Sequence, residues 1–187
     1  GVPGVFMSIV GFNLLNQAVN EHKITQPSLI LDEMNTGVTD TLRQYEEDST
    51  VKDGMDIALC NINLDTLELQ YAGAYNSLWI VRNGELIELG ANKFPVGTFV
   101  GETIHQFSNK TFQLQKGDNV YLFTDGYADQ FGGEKGKKFK YAQLVRLLKS
   151  ICAGTMAQQR AILENTFEEW KRNLDQVDDV LIAGIRI

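Results

Sequence analysis

Cysteine and histidine are scarce in this chain, and there is no surplus of positive charge. Cys60 and Cys152 are the two cysteines among 187 residues. They form no Cys-x-x-Cys spacing, and no secretory apolar segment stands ahead of them. A disulfide framework is thereby excluded, and a reduced, intracellular and cytoplasmic protein is expected. The two histidines, His22 and His105, are both far from either cysteine in the sequence, so no Cys–His nucleophile pair is suggested. With 17 Lys and Arg against 24 Asp and Glu, the formal net charge is -7. General nucleic-acid binding needs a basic surface that this composition does not supply, so a phosphorylated partner has to be met locally. Long hydrophobic runs are missing too. The longest, Val5 to Leu15, is broken by Ser8, Gly11 and Asn13 and is too short to span a bilayer.

What remains is ordinary globular composition, 43% hydrophobic and 22% charged, at a length that suits one domain with a real core. No repeat, linker or second domain is visible across 1–187. The spacing predicts a helix from Pro3 to about Glu21, apolar over most of its surface and therefore mostly buried. A second, amphipathic helix runs from Pro27 to about Tyr45 through Leu31, Met34, Val38 and Leu42. Acidic Glu46 to Lys52 reads as a loop. Short runs then alternate with turn signals: Ile57–Ile62, Leu67–Gly73, Leu78–Val81 and Glu85–Leu89, with Asn83-Gly84 a strong hairpin signal. Asn92 to Gly101 reads as a loop. Strands Lys110–Leu114 and Asn119–Phe123 follow around Lys116-Gly117-Asp118. After a loop from Gln130 to Lys138, a short helix is marked by Tyr141, Leu144, Val145 and Leu148. A longer one is marked by Met156, Leu163, Phe167, Trp170 and Leu174, and a last strand closes the chain. Consecutive antiparallel strands with flanking helices predict an α+β layered domain.

Two acidic motifs more than fifty residues apart stand at the ends of apolar runs. Asp125 follows Val120-Tyr121-Leu122-Phe123, and Asp178-Asp179 precedes Val180-Leu181-Ile182-Ala183-Gly184-Ile185. If the two runs are neighbouring antiparallel strands, about 4.8 Å apart, their acids meet at one end of the sheet. Hard oxygen ligands would then converge as Mg²⁺ or Mn²⁺ requires. Blander readings stand beside this one. Asp125-Gly126 serves equally as a turn, Asp178 and Asp179 as solvated caps, and Asp129 as a loop acid. Asp56 and Asn76 read as structural. The loop holding Lys135, Lys137 and Lys138 is the basic cluster of an acidic domain, either a flap that meets a phosphoprotein or a solvated loop.

Taken in order, Gly1-Val2-Pro3-Gly4-Val5-Phe6-Met7-Ser8, Asp53-Gly54-Met55-Asp56, Tyr71-Ala72-Gly73-Ala74-Tyr75-Asn76, Phe94-Pro95-Val96-Gly97, Lys116-Gly117-Asp118, Thr124-Asp125-Gly126 and Asp178-Asp179 resemble the SpoIIE-like branch of the PPM (phosphatase 2C-like) metal-dependent serine/threonine phosphatases. Each motif is weak alone; their order and spacing run essentially end to end. The resemblance implies an antiparallel β-sandwich with helices on its outer faces and a centre of two divalent cations, Mn²⁺ or Mg²⁺. Asp125 and Asp178 are its implied ligands, and Asp179 and Asp129 are adjoining candidates. Side chains alternate along extended chain, so one of the adjacent pair is expected to point into the site and the other away; the resemblance makes Asp178 the ligand and leaves Asp179 a structural or outer group. Two such ions roughly 3.5–4 Å apart lower the pKa of a shared water and clamp phosphoryl oxygens, so no Ser or Cys nucleophile is needed.

The implied activity is dephosphorylation of serine or threonine on a STAS-type anti-anti-sigma phosphoprotein in bacterial signalling. The implied setting is the output end of a longer sensor or regulatory protein, membrane-anchored or not, with dimerisation through helices. Two departures carry expectations of their own. In the family a metal-binding Asp and a Gly-His-Gly segment stand directly before the Val-Pro-Gly stretch, and most of that is absent ahead of Gly1, so the domain is expected to be truncated there and impaired as given. Tyr75 occupies a position where many relatives carry His or Asp, so no further metal site is expected at it. The alternative to an enzyme is a non-catalytic phosphoprotein-binding module with a degenerate phosphatase fold.

Overall fold

The computed structural model describes residues 2–45, 54–97 and 105–187. The expected acidic loop, the first residue of Asp53-Gly54 and the end of the expected 92–101 loop lie outside the described residues. The chain divides into two compact units, Gly1–Ser77 with Gly90–Gln113, and Leu78–Leu89 with Leu114–Ile187.

The first unit holds α1 (Val2–Asn16), a π-helical turn (Gln17–Glu21) and α2 (Pro27–Tyr45), followed by β1 (Ile57–Asn63), β2 (Glu68–Ala74) and β5 (Lys110–Gln113). The strands form an antiparallel sheet in the order β1-β2-β5. Proline at the first position of α2 costs no hydrogen bond, and Ile30, Leu31, Met34 and Val38 then bury one helical stripe against Ala72, Ala74, Val96 and Phe107. Polar side chains on the same helix grip the connection ahead of β5. Asp32 Oδ1 accepts from the Phe107 amide at 2.7 Å, and Asn35 Oδ1 accepts from the Gly97 amide at 2.7 Å. Burial pushes the Asp32 carboxyl up, and the Phe107 amide opposes that shift.

The expectation that α1 is mostly buried is corrected here. Met7 is 8% exposed, but Val5, Ile9 and Phe12 are 63%, 55% and 67% exposed. A helix apolar on every side buries only the side that meets a neighbour, and in this unit that neighbour is chiefly α2, with Met55 beside Gly11.

The second unit contains β3 (Leu78–Arg82), β4 (Glu85–Leu89), β6 (Asn119–Phe123), the one-turn helix α3 (Gly126–Asp129), β7 (Phe131–Gly132), β8 (Lys137–Lys138), α4 (Tyr141–Ile151), α5 (Met156–Lys171) and β9 (Ile182–Arg186). Its antiparallel sheet runs β4-β3-β6-β9. Asn83 and Gly84, at φ 51 and 78, give the β3–β4 hairpin the double positive-φ turn that their dipeptide predicts. Trp79, Val81, Tyr121 and Phe123 alternate onto one face, where Leu144, Leu148, Ile151, Leu163 and Phe167 cover them. α5 starts in a capping box in which Thr155 and Gln158 exchange side-chain and backbone bonds, a signal the apolar spacing alone passes over. It ends at Lys171, ahead of Arg172 at φ 54, so Leu174 falls beyond the helix and is 47% exposed rather than packed. The loop expected from Gln130 to Lys138 contains the short β7–β8 hairpin.

Candidate metal centre

β6 and β9 are adjacent and antiparallel, with Phe123 opposite Ile182. The residues just past β6 and just before β9 therefore share one end of the sheet. Thr124 fastens them together. Its amide donates to the Leu181 carbonyl at 3.0 Å, and its Oγ1 donates to the Asp179 carbonyl at 2.9 Å while accepting from the Leu181 amide at 3.0 Å. Asp125 follows directly and opens α3, whose single turn is closed by the Asp129 amide on the Asp125 carbonyl at 2.9 Å. Gly126 lies so close to the Asp179 carbonyl that a Cβ there would overlap it. The Asp-Gly pair is thus a turn, as its blander reading says, and one that the Asp179 backbone touches.

The four candidate acids differ in their surroundings. Asp125, Asp178 and Asp179 are exposed, and Asp129 is intermediate. Asp178 Oδ1 accepts from the Asp179 amide at 2.7 Å, and the Asp178 carbonyl accepts from Gln176 Nε2 at 2.8 Å. Asp129 is engaged by Lys138 Nζ at 2.7 Å, in an ion pair whose two side chains are 40% and 44% exposed. Such exposed pairs contribute about 0–1 kcal/mol, so a cation could displace the lysine at small cost. Lys138 also lies 5.9 Å from the Phe131 ring centre, while Lys135 and Lys137 stand exposed on the same hairpin. Sequence reasoning missed two side chains beside the acids. Tyr141 opens α4 against Trp79 and Phe123, with ring centres 6.0 and 6.2 Å away. Burial first, and then the charges of Asp125 and Asp129, push its phenol up. Gln130, fully buried, bonds to the chain that leads to Asp178.

Exposed carboxylates on a fastened turn offer the hard oxygen chemistry that Mg²⁺ and Mn²⁺ take, so the donor set fits such ions. Among the described residues, no group of three or more His, Cys, Asp or Glu stands ready to hold a metal ion. A groove of about 720 Å³ between α5 and β9, lined by Tyr121, Tyr127, Leu163, Phe167, Val180 and Ile182 among others, does not include the acids. Its walls are chiefly apolar, and it is a separate feature of the unit.

An α+β fold of antiparallel sheets and helices is the fold of PP2C-type phosphatase domains, and solved structures bear this out. The SiaA PP2C domain of Pseudomonas aeruginosa superposes with a TM-score of 0.87 at 26% identity, covering 100% of this chain and 71% of that one. The PP2C domain of SpoIIE from Bacillus subtilis, solved with a fragment of its regulatory domain, gives 0.73 at 18% identity over 97% of this chain and 50% of that one. This chain thus spans half of that longer polypeptide. A Bacillus subtilis SpoIIE phosphatase domain presoaked with Mn gives 0.59 at 16% identity over 95% and 73%. No curated protein matches. The family described as Stage II sporulation protein E (SpoIIE) matches residues 1–187, and the chain belongs to it.

Proposed function

We propose that this PP2C-like domain hydrolyses phosphoserine or phosphothreonine on a partner protein with the help of two divalent cations, Mn²⁺ or Mg²⁺. Asp125 and Asp178 are the assigned ligands, with Asp129 and Asp179 adjoining. The observation that carries this reading is the pairing of β6 with β9, fastened by Thr124, which brings two acids distant in sequence to one end of one sheet. Bound ions there would activate water and neutralise the phosphoryl oxygens. The chain's own residues then have three tasks. Asp125 and Asp178 hold charge at the sheet end, Thr124 and Gly126 keep the two backbones in contact, and the Lys135, Lys137 and Lys138 hairpin draws in a phosphorylated surface.

The favoured substrate is a phosphorylated STAS-type protein, on the strength of the SpoIIE resemblance, with an upstream regulatory or sensor domain and a homodimer as the other partners. The residues 1–187 are proposed to form one phosphatase domain, whose cation affinity rests on the carboxylates accumulated at the site. The test is Mn²⁺-dependent release of phosphate from a phosphorylated STAS protein, by this chain and by a version extended upstream, each with and without Asp125→Asn. A loss of more than about 100-fold in the extended protein, beyond the 10–100-fold usual for residues that only orient ligands, supports the enzyme. Partner binding with no turnover in any form supports the binding module instead.

A further inference from the structure

Residues 172–181 form neither helix nor strand, yet Asp178 lies within them. The position of such a segment is set by the tertiary bonds that reach it. Thr124 supplies bonds on one side of Asp178, at Asp179 and Leu181. On the other side the bonds come from Gln130. Its Nε2 donates to the Asp175 carbonyl at 3.0 Å, and its Oε1 accepts from the Val177 amide at 3.3 Å. Donation to one residue and acceptance from the second one after it is how a residue of a neighbouring parallel strand would bind this segment. One side chain thus stands in for a strand.

Gln130 is itself held from all sides. It is 0% exposed, its Nε2 also donates to the Phe131 carbonyl at 3.0 Å, and its own carbonyl accepts from Trp170 Nε1 at 3.0 Å and from the Phe139 amide at 2.9 Å. It follows the single turn of α3 that begins at Asp125, so its backbone is tied to that acid by one short, closed turn. A buried amide in a loop is tolerated because its bonds are made, and these bonds go to the segment carrying the second acid.

We infer that Gln130 is a positioning residue for the carboxylate pair, fixing the approach of Asp178 to Asp125 by gripping the backbone at Asp175 and Val177. This rests on the metal-centre reading above, because the geometry it sets matters only if both acids serve one site. Gln130 is assigned no contact with ion or substrate and acts through the chain.

The experiment compares Gln130→Met with Gln159→Met in the 187-residue chain. Met keeps the length and apolar bulk but donates nothing. Gln159 is a fair control, being 2% exposed and bonded to Asn119 and Gly154 on the α5 side of the same unit. Two readouts are taken: the Mn²⁺ half-saturation, from water-proton relaxation, and amide exchange at residues 175–179. Gln130→Met raises the half-saturation about 10-fold or more and speeds exchange in that segment, whereas Gln159→Met lowers the melting temperature and moves neither readout. Val177→Pro, at a 53% exposed position, deletes the donor to Gln130 while its ring restricts residues 176 and 177. It shifts Mn²⁺ in the same direction and Val177→Ala, which keeps the amide, does not, so the pair decides the matter if Gln130→Met does not fold. Equal Mn²⁺ shifts for Gln130→Met and Gln159→Met, or unchanged exchange at 175–179, overturn the inference. Asp125→Asn separates the two layers. If it binds Mn²⁺ as the parent chain does, the metal-centre reading fails and takes this inference with it. If it loses Mn²⁺ while Gln130→Met keeps it, the role of Gln130 alone is overturned.

Discussion

Gly126 is in backbone contact with Asp179, fifty-three residues later, with no room for a side chain between them. The intruding atom is a carbonyl oxygen held by Thr124, so it cannot swing aside as the tip of a flexible side chain would. Gly126→Ala should therefore push the two segments apart, at the cost of about 1–3 kcal/mol typical of overpacking. Urea unfolding measures that loss. On the proposed metal centre, Mn²⁺ affinity falls with it, and an Ala variant as stable as the parent would contradict the contact.

The β7–β8 hairpin presents Lys135, Lys137 and Lys138 on its exposed surface, and among the described residues only Lys138 is engaged in an ion pair, with Asp129. Exposed charges steer a charged partner more than they hold the fold together. On the proposed function, Lys135→Glu with Lys137→Glu should raise KM for a phosphoprotein and leave kcat in place, with an effect that shrinks as salt is raised. Stability should change by less than about 1 kcal/mol. Steady-state kinetics at two ionic strengths, beside a melting curve, check both statements.

The strands of the two larger sheets were readable because most are short, apolar and bounded by turn chemistry, and β4 and β6 begin and end where the sequence says, whereas the two-residue strands β7 and β8 carry no such signal. Pairing of β6 with β9 was readable only as a condition, since periodicity tells which residues form strands and not which strands are neighbours. The exposure of α1 was not readable: Val5, Ile9 and Phe12 look like core residues, and nothing in the local pattern says how many sides of a helix find a neighbour. Asp125 and Asp178 stood out as acids at strand ends. Thr124 and Gln130 did not, because a hydroxyl or an amide declares its role only through partners dozens of residues away. The Thr155 and Gln158 box is different, since its spacing is local and could have been read.

Asp118, 1% exposed, receives two parallel bonds from Arg82, Nε to Oδ1 at 2.8 Å and a terminal nitrogen to Oδ2 at 2.7 Å, and a third from the Gln115 amide at 2.8 Å. Burial works against its charge, but the hydrogen bonds of Arg82 and Gln115 and the charge of Arg82 outweigh it, leaving the carboxyl below its ordinary value of 3.8. A folded-state pKa below the unfolded one adds stability that is complete above pH 3.8 and fades as pH falls through the lower folded value. Arg82→Met strands a buried carboxylate and should cost about 3–5 kcal/mol at neutral pH. Chemical unfolding of both proteins as a function of pH should show the gap narrowing as pH falls, first above pH 3.8 as the variant's stranded carboxyl, pushed up by burial, takes a proton, and further below pH 3.8 as the parent loses its own contribution.

Thr124 offers the sharpest separation of fold from site, because its hydroxyl makes two bonds to backbone on the segment that bears Asp178 and Asp179. Thr124→Val keeps the branched shape that suits a strand end and removes both bonds, leaving the Leu181 amide and the Asp179 carbonyl without that partner. The expected cost is about 1–3 kcal/mol. Thr124→Ser keeps the hydroxyl, so it should recover most of that loss. On the proposed metal centre the two variants diverge further, with Val weakening Mn²⁺ binding and Ser retaining it. Paired urea titrations and Mn²⁺ titrations of the three proteins read this out. Equal Mn²⁺ affinity in all three, alongside a clear stability loss in Val alone, would confine Thr124 to holding the strands and leave Asp178 to be placed by other contacts.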